Sequence, residues 1–237
     1  MTSRRSLAAL AALAATTLAP AAHADWTGKG ELGYVLTRGN SDSSALNAKV
    51  DMTEKADNWT HTLGFAALRA TTSGVTSANR YELHGQSNLK LSERSYVFGG
   101  LRYENDKFSG FDYQAVASGG YGYKVWDTPD TKLATELGVG YRRLKVRLTD
   151  VQEGDAIVRG AVNYEHAFNA STKLIDKLLV ESGSNDTAAS NDLALQVKMS
   201  DRLAVSLDYT IRHNTQVASA AIKKTDQLMT ANIVFSF

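Results

Sequence analysis

Leu203-Ala-Val-Ser-Leu-Asp-Tyr-Thr-Ile-Arg212 alternates without a slip. Leu203, Val205, Leu207, Tyr209 and Ile211 take one face, and Ala204, Ser206, Asp208, Thr210 and Arg212 take the other. Successive side chains of a strand point to opposite sides, so this stretch reads as a strand with one apolar and one polar face. The pattern recurs far upstream. In 26–36, Trp26, Gly28, Gly30, Leu32, Tyr34 and Leu36 oppose Thr27, Lys29, Glu31, Gly33 and Val35. In 45–55, Leu46, Ala48, Val50 and Met52 oppose Asn47, Lys49, Asp51 and Thr53. In 80–91, Tyr81, Leu83, Gly85, Leu89 and Leu91 oppose Arg80, Glu82, His84, Gln86, Asn88 and Lys90.

About twelve such runs follow one another: 26–38, 44–56, 59–71, 79–92, 95–107, 111–125, 131–146, 156–168, 172–183, 190–200, 202–213 and 224–237. Most are about 10–14 residues long, against about 5–6 for a typical soluble strand. A tilted strand needs about 9–11 residues to cross a membrane. Tight connections (Lys55-Ala-Asp-Asn58, Ser92-Glu-Arg94, Asp127-Thr-Pro-Asp130, Asn169-Ala-Ser171, Ser200-Asp201) alternate with longer polar ones at 38–43, 71–78, 106–110, 147–155, 183–189 and 214–223. Outer-membrane barrels have this phase, with short periplasmic turns and longer external loops. The reading is all-β: a transmembrane antiparallel up-and-down β-barrel of about twelve strands with both ends in the periplasm. Ten or fourteen strands remain open, because 172–183 alternates weakly.

The first segment reads as an address. In MTSRRSLAALAALAATTLAPAAHA, residues 1–24, Arg4 and Arg5 precede an apolar run from Leu7 to Leu18 and an Ala22-His-Ala24 cleavage site. Those are the parts of a secretory signal peptide, in order. The expected domains are therefore a signal peptide, 1–24, and a barrel, 25–237. Removing Arg4 and Arg5 takes the 26 basic groups to 24, against 25 acidic ones. A near-neutral chain argues against nucleic acid as a partner. The chain has no cysteine, which excludes disulfides, thiolate metal sites and a Cys nucleophile. Two prolines, 18 glycines and 10 tyrosines suit long strands better than helices. After residue 25 no window holds the roughly 20 apolar residues of a transmembrane helix.

A sheet in lipid must close, so that every backbone polar group finds a partner. The apolar face then meets lipid and the polar face meets the lumen. Alternation assigns Lys29, Glu31, Lys49, Asp51, Arg80, Glu82, His84, Arg102, Glu104, Glu136, Arg142, Arg159, Glu165, Glu181, Asp208 and Arg212 to the lumen, with Asp226. Both signs occur in both halves, so no basic track is expected. Aromatic residues collect at membrane interfaces. Trp26, Trp59, Tyr123, Trp126 and Phe237 fall near periplasmic ends, and Tyr34, Tyr103, Tyr113, Tyr141 and Tyr209 nearer external ends. The alternating end Ala231-Asn-Ile-Val-Phe-Ser-Phe237 is the kind of signal read by barrel-assembly machinery, an expected partner beside outer-membrane lipid and lipopolysaccharide.

Trp26-Thr-Gly-Lys-Gly-Glu-Leu-Gly-Tyr-Val-Leu-Thr-Arg-Gly-Asn-Ser-Asp42 resembles the opening strand of a bacterial family of salt-induced outer-membrane proteins, a domain of unknown function. Lys223-Lys-Thr-Asp226 and the terminal Phe237 also look like it. The resemblance covers nearly all of the chain after residue 24 and implies an outer-membrane barrel of a Gram-negative bacterium. It implies no activity or catalytic residue. Read physically, Thr37-Arg-Gly-Asn-Ser-Asp42 is the first external turn, since Gly39 and Asn40 tolerate positive φ.

No catalytic residue, cofactor or metal is expected. The histidines His61, His84, His166 and His213 sit in no G-x-S-x-G or H-x-x-x-H pattern. Asp150, Glu153 and Asp155 surround one external loop and read as solvated acids rather than a cation site. The expected function is a narrow porin-like passage for ions or small solutes, tied to salt or osmotic stress. A plugged structural or envelope-interaction barrel is the alternative, and an outer-membrane enzyme a distant third.

Overall fold

A computed structural model of the chain describes residues 26–37, 42–107, 109, 111–147, 150–184, 186–216 and 223–237. The signal segment 1–24 and the turn at Gly39 and Asn40 lie outside them. The described residues form twelve strands: β1 (Trp26–Thr37), β2 (Ser43–Ala56), β3 (Trp59–Thr72), β4 (Val75–Lys90), β5 (Ser95–Asp106), β6 (Phe111–Asp127), β7 (Thr131–Val146), β8 (Gln152–Ala167), β9 (Thr172–Gly183), β10 (Thr187–Lys198), β11 (Leu203–Asn214) and β12 (Thr225–Ser236). Each pairs antiparallel with its chain neighbours, and β1 pairs with β12, so the sheet closes into a barrel. An even strand number leaves Trp26 and Phe237 at one end, here called proximal, with the turns after the even strands.

The barrel is apolar outside and polar inside. Leu101, Leu137 and Val139 stand 69%, 66% and 68% exposed on the outer wall. In water so large an apolar surface would aggregate, but it suits hydrocarbon. Among the described residues the buried set is mostly polar, including Asn47, Glu136, Arg142, Glu181, Asp208 and Asn232, with few apolar members such as Val116 and Val234.

The strands run further at the distal end than alternation suggests. The loop expected at 71–78 is a two-residue turn, Ser73-Gly74, with φ of 51° and 77°. Likewise β8 begins at Gln152 rather than at 156. Alternation is imposed by lipid on one face. Past the lipid both faces meet water, so Val75-Thr-Ser-Ala-Asn79 and Gln152-Glu-Gly-Asp155 lose the pattern while the hydrogen-bond ladder continues. The weak alternation of β9 also has a cause. Ile175 lines the lumen beside Lys177, while Asp176 faces outward and accepts a hydrogen bond from Asn191 at 2.6 Å.

Leu207→Arg, in the middle of β11, is expected to cost about 2–4 kcal/mol of folding free energy, and Val75→Arg, at the distal rim, about 0–1 kcal/mol. Urea titrations of both variants in lipid vesicles measure this. Equal costs would contradict the assigned lipid belt.

Candidate functional site

The lumen is crossed by ion pairs that join opposite walls. Arg212 on β11 extends Nη1 to both carboxylate oxygens of Glu104 on β5, at 3.1 Å each, and Nη2 to Glu82 on β4 at 3.1 Å. In the ring order β5 stands six places from β11 in either direction, directly across the barrel. Arg102 on β5 donates to Glu104 at 3.0 Å and to Glu181 on β9, four places away. Arg80 adds a third guanidinium beside Glu82 and Glu104 without closing a salt bridge among the described residues. His84 stands between Asp51 and Glu82, with 3.4 Å from a ring nitrogen to each carboxylate.

A second cluster lies nearer the proximal end and centres on Glu136. Its carboxylate accepts from Tyr96 at 2.9 Å, Gln86 at 2.9 Å and Arg159 at 2.7 Å. The Arg159 guanidinium also lies 4.7 Å from the Phe98 ring centroid. Ionised hydrogen bonds of this kind are stronger than neutral ones, and each buried charge here has a partner.

Two inward glycines make room for other crossings. Asn47 on β2 donates to Asn232 on β12 at 3.0 Å, passing over the intervening β1 at Gly33. A Cβ at Gly33 would lie 1.8 Å from the Asn232 side-chain oxygen. A Cβ at Gly64 on β3 would likewise lie 2.2 Å from His84 Nε2 and 2.5 Å from Asp51. In each case the middle strand lacks a side chain where its two neighbours meet. Asn232 continues to Asp208 at 2.7 Å, and Lys49 approaches Asp208 at 3.6 Å.

The remaining lumen candidates fall outside these bridges. Lys29 and Glu31 lie on the β1 wall and form no salt bridge among the described residues. Glu165 pairs with Lys173 at 3.4 Å near the proximal mouth. At the distal end Arg142, fully buried, holds Asp155 with two 3.2 Å hydrogen bonds and the Asp186 carbonyl with one of 2.8 Å. Asp155 is thus a buried inward acid rather than a solvated loop residue, because β8 already includes it. Asp150 instead meets Lys145 at 2.6 Å, so Asp150 and Asp155 serve separate contacts. Asp226 sits opposite Arg212 in the β11–β12 register and is exposed.

The aromatic candidates stand on the outer wall. Trp26, Trp59, Tyr123, Trp126 and Phe237 are exposed near the proximal end, with Tyr34, Tyr103 and Tyr141 exposed toward the distal end. Tyr103 stacks on Tyr113, with ring centroids 5.9 Å apart, and Tyr209 donates to Gln227 at 3.0 Å. Sequence reasoning left out Tyr81, which packs 6.3 Å from Tyr103, and Tyr164, which stacks on His166. Three outward histidines each pair with a hydroxyl directly across the ladder: His61 with Ser87, His166 with Thr131 and His213 with Thr225, all at 2.8 Å.

A larger omission is a set of proximal lysines. Lys55, Lys90, Lys124, Lys132 and Lys177 line one 460 Å³ space inside the proximal mouth, with Asn88, Asn163, Glu165 and Asp127 among the other lining residues. The charges are therefore not evenly mixed along the axis: lysines gather at this mouth, and arginine–carboxylate bridges hold the middle. Strand parity carries the signal, since Lys55 continues Lys49 and Asp51 on the inward face of β2, and Lys90 continues Glu82 and His84 on β4. Assigning Lys55 to a turn hid it.

Gly33→Ala is expected to cost about 1–3 kcal/mol, because the added methyl overpacks the Asn47–Asn232 crossing. Gly30→Ala, whose Cβ meets nothing within 4 Å, serves as the control and is expected to cost far less. Urea unfolding of the two variants makes the comparison, and matching midpoints would contradict the crossing.

The fold has counterparts among outer-membrane barrels. The NanC porin aligns with a TM-score of 0.52 at 14% identity, over 88% of this chain and 97% of that one. The COG4313 outer membrane channel from Pseudomonas putida F1 aligns with a TM-score of 0.52 at 10% identity, over 90% and 95%. At such identities the likeness is one of fold. By sequence, the uncharacterized protein YdiY of Escherichia coli (strain K12) is 24% identical over 204 residues, 86% of this chain and 80% of that protein. Residues 30–237 match the family model described as protein of unknown function, DUF481. The sequence resemblance, the closed barrel and this match agree, and the chain belongs to the DUF481 family.

Proposed function

We propose that the protein is a narrow porin-like passage for ions or small solutes across the outer membrane, with a bore set by its cross-lumen ion pairs. One observation carries this reading: Arg212 reaches Glu82 and Glu104 from the far wall. An open porin has no need to spend long charged side chains spanning its own lumen. Arg212 and Glu104 retain 24% and 12% side-chain exposure, so the pair is partly solvated. Salt shortens the screening length from about 8 Å at 0.15 M to about 3 Å at 1 M. A partly buried pair feels this screening less than an exposed one, so the proposed route for a response to salt is a modest weakening of the bridge at high ionic strength.

The reading is non-catalytic. The His61–Ser87 contact resembles a base and nucleophile, but the same contact recurs at two other histidines, both with threonine, between direct cross-strand neighbours. The strand register alone accounts for all three. The favoured location is the outer membrane, reached by the segment 1–24 acting as a cleaved signal. Barrel-assembly machinery would engage the strand ending in Phe237, and outer-membrane lipid and lipopolysaccharide would surround the wall.

Single-channel recording in planar bilayers tests the passage. Small discrete steps are expected, growing more steeply with salt than the bulk conductivity does. Arg212→Ala is expected to enlarge the steps severalfold. A silent bilayer for both proteins, with folding confirmed by heat-modifiable migration, would contradict conduction and favour a plugged barrel. Unchanged steps in the variant would contradict the role of the bridge.

A further inference from the structure

We infer that the proximal mouth is a binding site for small multivalent anions bearing phosphate or carboxylate groups. Lys55, Lys90, Lys124, Lys132 and Lys177 reach it from five different strands and line a single 460 Å³ space. That volume suits a compact ligand rather than a polymer.

The local acids do not neutralise this set. Lys90 is held by Glu93 at 2.7 Å and Lys124 by Asp127 at 2.9 Å. Glu165, the other lining carboxylate, is engaged by Lys173 at 3.4 Å. Lys55, Lys132 and Lys177 have no salt-bridge partner among the described residues. They share the space with Asn88 and Asn163, whose amides can donate to a bound oxyanion. Like charges converging in a concave mouth raise the local anion concentration, and low-dielectric walls strengthen the effect. Lysine acts there as a flexible point charge, which fits several anion shapes, in contrast to the fixed arginine forks deeper in the lumen.

The middle of the barrel suits such a ligand less, because Arg102, Arg159 and Arg212 are engaged by Glu82, Glu104, Glu136 and Glu181, and the remaining guanidinium, Arg80, lies beside Glu82 and Glu104. An anion entering from the proximal side would meet free ammonium groups first and paired guanidiniums next. In an outer-membrane barrel that side faces the periplasm. Binding there does not require conduction, so a plugged barrel would bind as well, and failure of the one idea leaves the other standing.

Isothermal titration of the detergent-purified protein with inorganic pyrophosphate, and separately with citrate, tests the site. Saturable binding of one or both is expected at low ionic strength, weakening steeply as sodium chloride is added. The triple variant Lys55→Gln, Lys132→Gln, Lys177→Gln is expected to lose about tenfold or more in affinity through the weakened local field. The triple variant Lys107→Gln, Lys223→Gln, Lys224→Gln, which removes the same number of charges from exposed positions at the distal end, serves as the control for surface charge and is expected to bind like the parent. Heat-modifiable migration verifies that each variant is folded. Absence of binding by both probes would overturn the site, as would a folded triple variant that binds like the parent. Preference for pyrophosphate or for citrate would tell phosphate from carboxylate as the group recognised.

Discussion

Every backbone N–H and C=O that faces lipid needs a partner within the protein, and the seam between β1 and β12 is where that requirement is met last. The seam is short. Its register runs only from Lys29 opposite Ser236 to Gly33 opposite Asn232. Two further backbone bonds between Gly28 and Phe237, of 2.7 and 3.0 Å, extend it at the proximal end. The Phe237 ring lies where a Cβ on Gly28 would be, and the Asn47–Asn232 hydrogen bond clamps the seam from inside. Closure then dictates the rest. It places both termini at one end, gives the wall a lipid side, and encloses polar side chains that must pair with one another or with water.

Enclosure explains why the interior is rich in bridges rather than in apolar filling. Strands that alternate for the sake of lipid put mostly polar residues inward, with few apolar ones such as Val116 and Val234. Carboxylates and guanidiniums from opposite walls are long enough to meet in a barrel of twelve strands. Glu136 shows the outcome at its most complete, with three donors and almost no exposure. Glu82, Glu104 and Arg212 show a more solvated version, in which Arg212 keeps 24% side-chain exposure while reaching two carboxylates at 3.1 Å.

Much of the fold was legible because period-two alternation is imposed directly by lipid. It shows in 203–212 and 80–91 even to the eye. Where the membrane ends the signal ends too, so the start of β4 at Val75 and of β8 at Gln152 carries no alternation, and Asp155 reads from sequence as a loop acid. β9 read poorly because Asp176 turns outward toward Asn191. For the lumen, parity indicates which residues point inward, but not which of them meet. The Arg212–Glu104 pair joins residues 108 positions apart in the chain on strands six places apart in the ring. That contact follows from closure and strand stagger, neither of which a local pattern encodes. The proximal lysines were readable by the same parity, but they lie at strand ends, where a charged residue is easily assigned to a turn.

The central claim is that the paired side chains of opposite walls bar the lumen to anything large. The chain contains no cysteine, so one introduced thiol reports without background. Asn88 lines the lumen on the proximal side of the bridges. In vesicles of defined orientation, Asn88→Cys would be exposed to a bulky, membrane-impermeant thiol reagent supplied only from the distal side. The account predicts that the thiol stays unlabelled while Arg212 is intact and reacts readily once Arg212→Ala is added. Equal labelling with and without the Arg212 side chain would contradict it.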